Sequence, residues 1–263
     1  MQRPTERATT VRSLERGLAV LLALNRLRSA SVLEIAAETR LARPTIYRIL
    51  ETLRGVGLVA RDGLAERYRL TQRVRALSDG YDEEEWISGI ARPLLKELGR
   101  EVAWPLSLFT FDDGRMLVRE TTHEQSALSV DRGMVGQRLP MLRTAAGRAY
   151  LAFCPEKERG AIILLLAHSE EIGDRAIRDP RRIASMLRAA RMNGFATQWR
   201  EINSKTASIS VPILAANDVL GCLSVIWIAK ALSIEQAADR YVALLKAAAA
   251  RIGSADIGDL GAS

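Results

Sequence analysis

The residues best suited to chemistry form a short run of hydrogen-bond donors, with one aromatic among them, between positions 43 and 52. The run consists of Arg43, Thr45, Tyr47, Arg48 and Thr52. An arginine can grip O6 and N7 of guanine with its forked guanidinium, whereas threonine and tyrosine can touch thymine methyl groups or phosphates. Any one of these residues alone would more often belong to an ordinary solvated helix face. Together they favour a surface that reads base pairs in the major groove of DNA.

A second set of basic residues, Arg61, Arg67 and Arg69, follows closely in the sequence. They flank the dipeptide Asp62-Gly63, a turn signal between two short strand-like runs, which predicts a β-hairpin. Such a wing would place the arginines beside phosphates. Contacts of that kind give affinity and salt dependence but little sequence information.

Three short helices must hold this surface. An amphipathic run from Ser13 to Leu27 predicts the first helix, on which Leu14, Leu18, Leu21 and Leu22 recur at helical spacing. Ser31 and Glu34 form a capping box that opens the second helix, and Ser31 also stands among the expected DNA contacts. Pro44 fits the first turn of the third helix, where its missing N–H costs nothing, and it too is an expected DNA contact. The buried side of the third helix is predicted to consist of Ile46, Ile49, Leu50, Leu53 and Val56.

The net charge of +7 is confined to one part of the chain. Residues 1–79 hold 15 arginines, no lysine and 8 acidic residues, which gives 15 − 8 = +7. Residues 80–263 hold the remaining 23 basic and 23 acidic residues and are therefore neutral. A basic module joined to a neutral one indicates a polyanion-binding part and a part with a different task.

The neutral part mixes helix and strand patterns. A helix from Trp86 to about Arg100 precedes two strand-like runs joined by the turn Asp112-Asp113-Gly114. The strands are expected at 106–111, 116–121, 206–214 and 219–229, and further helices at about 155–167, 180–193 and 233–252. Helices around an antiparallel sheet make this an α+β domain.

Small residues at the start of one helix suggest an anion site. Thr144-Ala145-Ala146-Gly147 opens a helical run, so free backbone N–H groups and the helix dipole would favour a carboxylate there. Close packing of the helix on the sheet explains the same residues equally well. Four residues of the two late strands could line the same pocket, although strand alternation allows only some of them to face it. These are Ser208, Ser210, Cys222 and Ser224.

Several segments resemble a known family. The runs VRSLERGLAVLLAL, SVLEIAAETRLARPTIYRILETLRGVGLV and ERYRLT resemble the DNA-binding domain of the IclR (isocitrate lyase regulator) family. LPMLRTAAGRAYLAF, GFATQ, ASISVPI and GCLSV resemble its effector-binding domain. The resemblance implies a winged helix-turn-helix DNA-binding domain over residues 1–70, a linker helix over 71–85 and a GAF-like effector-binding domain over 86–263. The protein is then expected to be a transcription regulator, activator or repressor, that senses a small organic acid.

The family's pocket pattern, matched position by position, implies an effector site in this chain. The matching residues are Leu139, Ala145, Ala146, Gly147, Gln198, Ser208 and Ser224. Some relatives carry an acidic residue where this chain has Gln198 followed by Trp199, which implies that the polar end of its pocket differs.

A closer resemblance points to activators of hydroxyphenylpropionate and related aromatic-acid catabolism. It rests on EEWIS (84–88), VRETTH (118–123), MVGQRLP (134–140), LAFCPE (151–156) and IEQAA (234–238). It implies an aromatic carboxylic acid as effector and control of a catabolic operon. The ring is expected among Trp104, Leu139 and Leu142, with core packing as the alternative role of Trp104.

The partners expected on these grounds are double-stranded operator DNA, the carboxylate effector and further copies of the chain. Two recognition helices must reach half-sites about 34 Å apart, or a multiple of that distance, so a dimer or tetramer is predicted. The first helix, from residue 14 to 27, and the linker helix are the candidate contacts. RNA polymerase is a further partner if the protein is an activator.

Other classes of protein find little support. The chain lacks GxSxG, HExxH and GxxxxGK[ST], and His123 and His168 are expected at the surface or satisfied, so we expect no enzyme, cofactor or metal. Cys154 and Cys222 match no metal spacing and are expected to be buried thiols. No apolar run approaches the about 20 residues that span a bilayer, and residues 1–10 form no signal peptide, so a cytoplasmic protein is expected. The alternatives are an enzyme with a chance Ser/His/Asp cluster and an RNA-binding or purely oligomerising module.

Overall fold

Two antiparallel sheets, each with its own helices, organise the chain. The computed structural model describes residues 11–62, 66–77, 85–131, 134–168, 179–216 and 218–254. The chain divides into two units, Met1–Asp82 and Glu83–Ser263. The division lies within the segment for which a linker helix is expected.

The amino-terminal unit contains three helices and a three-stranded sheet. Its elements are α1 (Arg12–Leu27), β1 (Ser29–Ala30), α2 (Val32–Thr39), α3 (Arg43–Gly55), β2 (Val59–Asp62) and β3 (Arg67–Leu70). The sheet order is β1-β3-β2, and both pairings are antiparallel. Helices α2 and α3 are joined by a tight turn, and β2 and β3 form the predicted wing, although the turn residue Gly63 lies outside the described residues.

Local signals explain where these helices begin. The Ser31 hydroxyl accepts a hydrogen bond from the Glu34 amide at 3.3 Å, and the Glu34 carboxylate accepts one from the Ser31 amide at 2.7 Å. This is the predicted capping box. Pro44 lies in the first turn of α3. The core beneath the helices includes Leu24, Ile35, Ile46 and Leu50, all fully buried.

Two details of this unit differ from the sequence expectation. Val56 was expected in the buried stripe of α3, but the helix ends at Gly55 and the side chain of Val56 is exposed. On α1, the buried residues are Val20, Ala23 and Leu24. Leucines 14, 18 and 22 recur at helical spacing as expected, but they lie on the opposite, exposed side of the helix.

The segment between the sheets departs from a single linker helix. A 3₁₀ helix occupies Gln72–Leu77, and residues 78–84, seven of the fifteen in the predicted linker helix, lie outside the described residues. The expected helix from Trp86 begins as a π-helical segment, Trp86–Ala91, and continues as α4 (Arg92–Glu101).

The carboxy-terminal unit is built on a six-stranded antiparallel sheet. Its remaining elements are β4 (Leu106–Asp112), β5 (Arg115–Thr121), β6 (Arg138–Pro140), α5 (Ala145–Phe153), α6 (Glu156–Ala167), α7 (Pro180–Asn193), β7 (Ala196–Trp199), β8 (Thr206–Ala215), β9 (Asp218–Ile228) and α8 (Ile234–Ser254). The strand order is β6-β5-β4-β9-β8-β7. The edge strands β6 and β7 were not predicted, because three or four residues are too few to show an alternating pattern.

Strand alternation gives the sheet two different faces. Leu106, Leu108, Leu223, Val225 and Trp227 point to one face and form a core with α4 and α8. Their neighbours in sequence point to the other face, where α5 packs across β8 and β9. Among the helices that the structure describes, none combines the length and the apolarity needed to cross a bilayer.

Candidate functional site

The outer face of α3 carries most of the residues expected to contact DNA. Arg43, Tyr47 and Arg48 are exposed, and Tyr47 is 51% exposed although it is a large aromatic residue. Thr45 is half-buried. The Ala42 cap of α3 contributes no side-chain hydrogen bond, Pro44 has no N–H, and the Thr45 amide donates to the carbonyl oxygen of Ala42 at 2.9 Å, so the start of the helix presents chiefly the Arg43 backbone and side chain. Exposed guanidinium groups next to a helix N-terminus suit an anionic partner.

Two expected DNA contacts already have internal hydrogen bonds. The Thr52 hydroxyl donates to the carbonyl oxygen of Arg48 at 2.9 Å. The Ser31 hydroxyl donates to the Glu34 carboxylate at 2.8 Å and belongs to the capping box. These hydroxyl groups hold the helices in place, so their donor capacity is not free for DNA.

The wing arginines differ in their surroundings. Arg67 donates to the carbonyl oxygen of Ser29 at 2.7 Å and pairs with Glu34 at 2.9 Å. Arg61 pairs with Glu66 at 2.5 Å, and Arg69 is exposed on β3. Arg67 therefore joins the wing to the start of α2, which sequence reasoning had not anticipated because the register of β1 with β3 sets this contact.

The Glu34 carboxylate is held in its charged form. Its pKa falls to about 2, first because the Ser31 amide and hydroxyl donate to it and then because Arg67 lies beside it.

Arg40 was not among the residues expected near DNA. It is exposed at the turn before α3, with a left-handed φ of 57°.

A pocket opens on the second face of the carboxy-terminal sheet. It encloses about 480 Å³, counted out to its open mouth. Seven of the twelve predicted effector-site residues line it: Leu139, Thr144, Ala145, Ala146, Gln198, Ser208 and Ser224. Eight further lining residues were not predicted: Ser107, Phe109, His123, Asp131, Met134, Ile202, Thr206 and Ile226. Most of these come from β4, from β9 and from the loop after β5, where no sequence signal indicated a pocket residue.

The start of α5 forms one side of the pocket. The Thr144 hydroxyl accepts a hydrogen bond from the Gly147 amide at 2.9 Å and donates to the carbonyl oxygen of Met141. Ala145 and Ala146 occupy the first two helical positions, whose N–H groups have no acceptor inside the helix. Because Ala145 and Ala146 also line the pocket, the pocket borders the end of the helix at which these two N–H groups lie.

Gln198 adds a side-chain donor to the same site. It is 4% exposed, and its amide oxygen accepts a hydrogen bond from the Glu201 amide at 2.9 Å. This leaves the NH₂ group of the side chain to face the pocket that Gln198 lines.

Arg148 fixes the segment that carries Gln198. It donates to the carbonyl oxygens of Leu142 at 2.8 Å and Thr197 at 2.7 Å. It also donates to both carboxylate oxygens of Glu201 at 2.5 Å. The network joins α5 to the end of β7, so it holds the two groups of donors in one place.

Five predicted effector-site residues lie outside the pocket. Trp104 belongs to the core on the opposite face of the sheet, which is the alternative role noted for it. Leu142 packs in the core beneath α5. Gly147 faces the carbonyl oxygen of Met141 so closely that any Cβ would collide with it, which explains the glycine by packing. Ser210 and Cys222 point to the pocket side of the sheet but are sealed beneath α5.

His123 lines the pocket and is almost completely buried, at 3% exposure, rather than being a surface residue. Burial lowers its pKa, although the nearby Asp131 charge opposes this effect. Its Nδ1 lies 2.6 Å from the Ser129 hydroxyl. The ring is therefore neutral at physiological pH and is held in one orientation.

The two cysteines are free and buried, as expected. Burial raises the pKa of the Cys154 thiol to about 11 and raises that of Cys222 still further. Both thiols are therefore protonated and unreactive at neutral pH. Within the described ranges, no group of three His, Cys, Asp or Glu side chains is placed to hold a metal ion.

Comparison with known families covers both units. The profile described as "Bacterial transcriptional regulator IclR C-terminal" matches residues 81–254. The profile described as "IclR helix-turn-helix domain" matches residues 13–63. Both descriptions are of transcription regulators and not of enzymes, in agreement with the sequence expectation.

Individual relatives are distant but extend over most of the chain. The HTH-type transcriptional regulator KdgR of Escherichia coli (strain K12) is 25% identical over 250 residues, covering 95% of this chain and 94% of that protein. The glycerol operon regulatory protein of Streptomyces coelicolor is 27% identical over 208 residues, covering 78% of this chain and 80% of that protein. Neither is named as an aromatic-acid regulator, so the closer resemblance drawn from the sequence stays a prediction.

Solved structures share the fold. The crystal structure of the Thermotoga maritima IclR covers 93% of this chain and 98% of its own, with 22% identity and a TM-score of 0.64. An IclR homolog from Microbacterium hydrocarbonoxydans, complexed with 4-hydroxybenzoate, covers 92% of this chain and 97% of its own, with 22% identity and a TM-score of 0.59. The predicted fold class, a helix-turn-helix unit followed by an α+β unit, is confirmed.

Proposed function

Because the chain belongs to the IclR family of bacterial transcriptional regulators and is a DNA-binding regulator, we propose that a small organic acid in the carboxy-terminal pocket controls its binding to operator DNA. The observation that carries this proposal is the pocket itself. It joins the open end of α5 to the buried side-chain amide of Gln198. A bacterial regulator of this kind acts in the cytoplasm, and it would contact RNA polymerase if it activates transcription.

The donors at the start of α5 suit a carboxylate. The N–H groups of Ala145 and Ala146 and the positive end of the helix dipole favour a negative charge. The Gln198 amide supplies a further donor, and Arg148 compensates the charge of Glu201 so that this acid does not repel the ligand. We assign the carboxylate of the effector to this end of the pocket.

The remainder of the pocket favours an aromatic carboxylic acid of a catabolic pathway as effector. Phe109, Leu139 and Ile202 offer an apolar surface for a ring. This surface replaces the earlier expectation of Trp104 and Leu142, which do not reach the pocket. Calorimetry with benzoates, phenylpropionates, cinnamates and short 2-oxo acids tests the class. Binding of 2-oxo acids alone would refute the aromatic assignment.

Gln198→Glu tests the carboxylate position. A second carboxylate in place of the donor should weaken acid binding at least about tenfold, because like charges repel in a partly desolvated site. Gln125→Glu, the same change at an exposed residue, should leave binding unchanged. Equal affinities for the two variants would place the carboxylate elsewhere.

We propose that α3 enters the major groove of the operator while the wing touches phosphates. Arg48→Ala should cost about 1–3 kcal/mol on the preferred sequence and relax base preference, whereas Arg69→Ala should weaken binding to all sequences and reduce the salt slope by about one. Fluorescence anisotropy with DNA flanking the gene, against salt, separates the two effects. Equal competition by duplex RNA would favour the RNA-binding alternative.

We propose further that the protein binds DNA as at least a dimer through α1. Val11, Leu14, Leu18 and Leu22 form an exposed apolar stripe along this helix, with Leu18 50% exposed. A palindromic operator requires two recognition helices about 34 Å apart, or a multiple, which one copy cannot supply. Light scattering at micromolar concentration should show a dimer or tetramer that Leu18→Glu dissociates. A monomeric wild-type protein would refute this assembly.

A further inference from the structure

The pocket has a second polar region, formed by His123, Ser107, Ser224 and Asp131, that the carboxylate does not use. The donors of the proposed carboxylate site belong to β7 and to α5. Ser107 and Ser224 are paired across β4 and β9, and β9 lies two strands from β7. The two serines are therefore roughly 10 Å from the strand of Gln198, whereas Asp131 accepts a hydrogen bond from Asn203, four residues after β7. A small organic acid is long enough to reach both regions.

The hydrogen bonds of His123 determine which ring nitrogen carries the proton. The Ser129 hydroxyl donates to the carbonyl oxygen of Asp131 at 2.6 Å. A hydroxyl has a single proton, so Ser129 must accept in its second contact, the 2.6 Å one with His123 Nδ1. Nδ1 therefore carries the proton of the neutral ring, and Nε2 carries the lone pair.

The lone pair of Nε2 faces the internal space that His123 lines. Among the described residues, both partners of the ring lie on its Nδ1 side: the Ser129 hydroxyl, and the carbonyl oxygen of Asp131, which is 2.6 Å from that hydroxyl and, by hydrogen bonding, opposes the lowering of the ring's pKa by burial. No fully buried side-chain nitrogen or oxygen in these residues lacks a partner. Nε2 must then be reachable by a small molecule. Since His123 is almost completely buried and lines the pocket, along with a smaller apolar cavity beside it, the open side of Nε2 faces this internal space.

The serines of this region are also acceptors. Thr121 donates its hydroxyl proton to the carbonyl oxygen of Leu106 at 2.9 Å, so Ser107 must donate to Thr121 in their 2.9 Å contact. Ser224 donates to Ser210 at 2.8 Å, and Ser210 donates onward to the carbonyl oxygen of Leu223. Both protons point away from the pocket and leave oxygen lone pairs facing it.

We propose that the effector carries a hydroxyl group in addition to its carboxylate, and that His123 Nε2, supported by the Ser107 and Ser224 oxygens, accepts its hydrogen bond. A ligand without a donor would leave these acceptors unpaired in a desolvated site, so they select for the hydroxyl. Ser129 is a positioning residue, because it fixes the tautomer without touching the ligand. The inference rests on the proposed function and adds the hydroxyl requirement to it.

A hydroxyl fits this region better than an ammonium group. Three of the four acceptors are neutral, and the Asp131 carboxylate already accepts a hydrogen bond from the Asn203 amide at 3.1 Å. An ammonium group removed from water would need a carboxylate that pairs with it directly.

Calorimetry with benzoate, 4-hydroxybenzoate, 4-methoxybenzoate and 4-(aminomethyl)benzoate tests the proposal, along with 3-phenylpropionate against its 3-hydroxyphenyl analogue. The quantity measured is the affinity ratio of the hydroxylated acid to its partner without a donor, because a general loss of structure lowers both affinities equally. The wild-type ratio should be about ten or more. It should fall towards one in His123→Phe and persist in His168→Phe, the same change at an exposed histidine.

Ser129→Ala keeps the imidazole but removes the hydroxyl that holds the proton on Nδ1, so either ring nitrogen can then carry it. This variant should lower the affinity ratio even if His123→Phe fails to fold. Independently of any ligand, ¹⁵N-correlated NMR of the histidine rings should show the proton of His123 on Nδ1.

Three results would overturn the hydroxyl assignment alone: acids that bind with a ratio near one, a ratio that survives His123→Phe, or a proton on Nε2. Preference for the ammonium compound would do the same. If no acid binds, including the 2-oxo acids, the proposed function fails, and the hydroxyl assignment fails with it.

Discussion

Replacing Arg148 with methionine should destabilise the carboxy-terminal unit and weaken acid binding at the same time. The side chain of Arg148 is 13% exposed and makes four hydrogen bonds, two to backbone carbonyls and two to Glu201. Methionine fills a similar volume but donates none of them. The Leu142 carbonyl oxygen would then lose this donor in a buried environment, and Glu201 would lose its counter-charge.

The size of the effect follows from the exposure of the partners. Breaking a fully buried ion pair by removing one partner costs about 3–5 kcal/mol. The Glu201 side chain is 35% exposed, so water can solvate part of its charge after the change. The two carbonyl bonds, each made to a charged donor, add to the loss. We expect a decrease of about 2–4 kcal/mol in the free energy of unfolding.

Tryptophan fluorescence in urea isolates this unit, because all four tryptophans, Trp86, Trp104, Trp199 and Trp227, belong to Glu83–Ser263. With a denaturant slope of about 2 kcal/mol per molar, the midpoint should fall by about 1–2 M. Gln198 follows Thr197 and bonds to the Glu201 amide, so its donor should also lose its fixed position. Affinity for any acid that binds the wild type should then decrease as well.

Two matched arginine-to-methionine variants serve as controls for this prediction. Arg143→Met removes one hydrogen bond, to the carbonyl oxygen of Glu201, and should cost clearly less. Arg188→Met changes an exposed helix residue and should cost least. A midpoint for Arg148→Met no lower than that for Arg188→Met would refute the role assigned to the network.

Two further predictions concern single residues. Gly147→Ala should lower the free energy of unfolding by about 1–3 kcal/mol, because the new Cβ would collide with the Met141 carbonyl oxygen. Gly160→Ala, with no atom within 4 Å of its Cβ, should raise it by about 0.5–1 kcal/mol in the same fluorescence assay. Equal destabilisation by the two variants would contradict the packing argument. The lowered pKa of Glu34 stabilises the amino-terminal unit above its usual pKa of 4.5, and this contribution is lost as the pH falls towards about 2. Glu34→Gln should therefore flatten the loss of stability between pH 6 and pH 3, followed by NMR of α2 amides in urea, while Glu15→Gln, an exposed control, should not.

Local sequence signals predicted most of the elements because the forces that end helices and strands act over a few residues. The Ser31 and Glu34 capping box and Pro44 fixed the starts of α2 and α3. Asp113 and Gly114 both have positive φ in the turn between β4 and β5, the backbone conformation that a two-residue hairpin turn requires and that Asp and Gly adopt more readily than most residues.

Hydrophobic periodicity alone did not predict which apolar side of α1 packs into the core. The leucines of α1 and the buried Val20 and Leu24 both recur at helical spacing, so α1 has two apolar sides. The core of this unit takes only one of them. The other stays exposed, a distinction that depends on tertiary packing rather than on the sequence pattern.

Only some of the residues that line the pocket could be predicted from the sequence. Gln198, Ser208 and the start of α5 were expected from a family pattern, and the last two also from helix and strand arguments, whereas no signal assigned Ser107 or His123 to the pocket. The antiparallel register pairs Ser107 with both Ser224 and Thr121, and His123 follows Thr121 by two residues. A shift of one residue in this register would turn Leu106 towards the pocket and Ser107 into the core. The acceptor region therefore exists only because three strands meet in one register, which explains why its hydroxyl preference emerges from the fold and not from any motif.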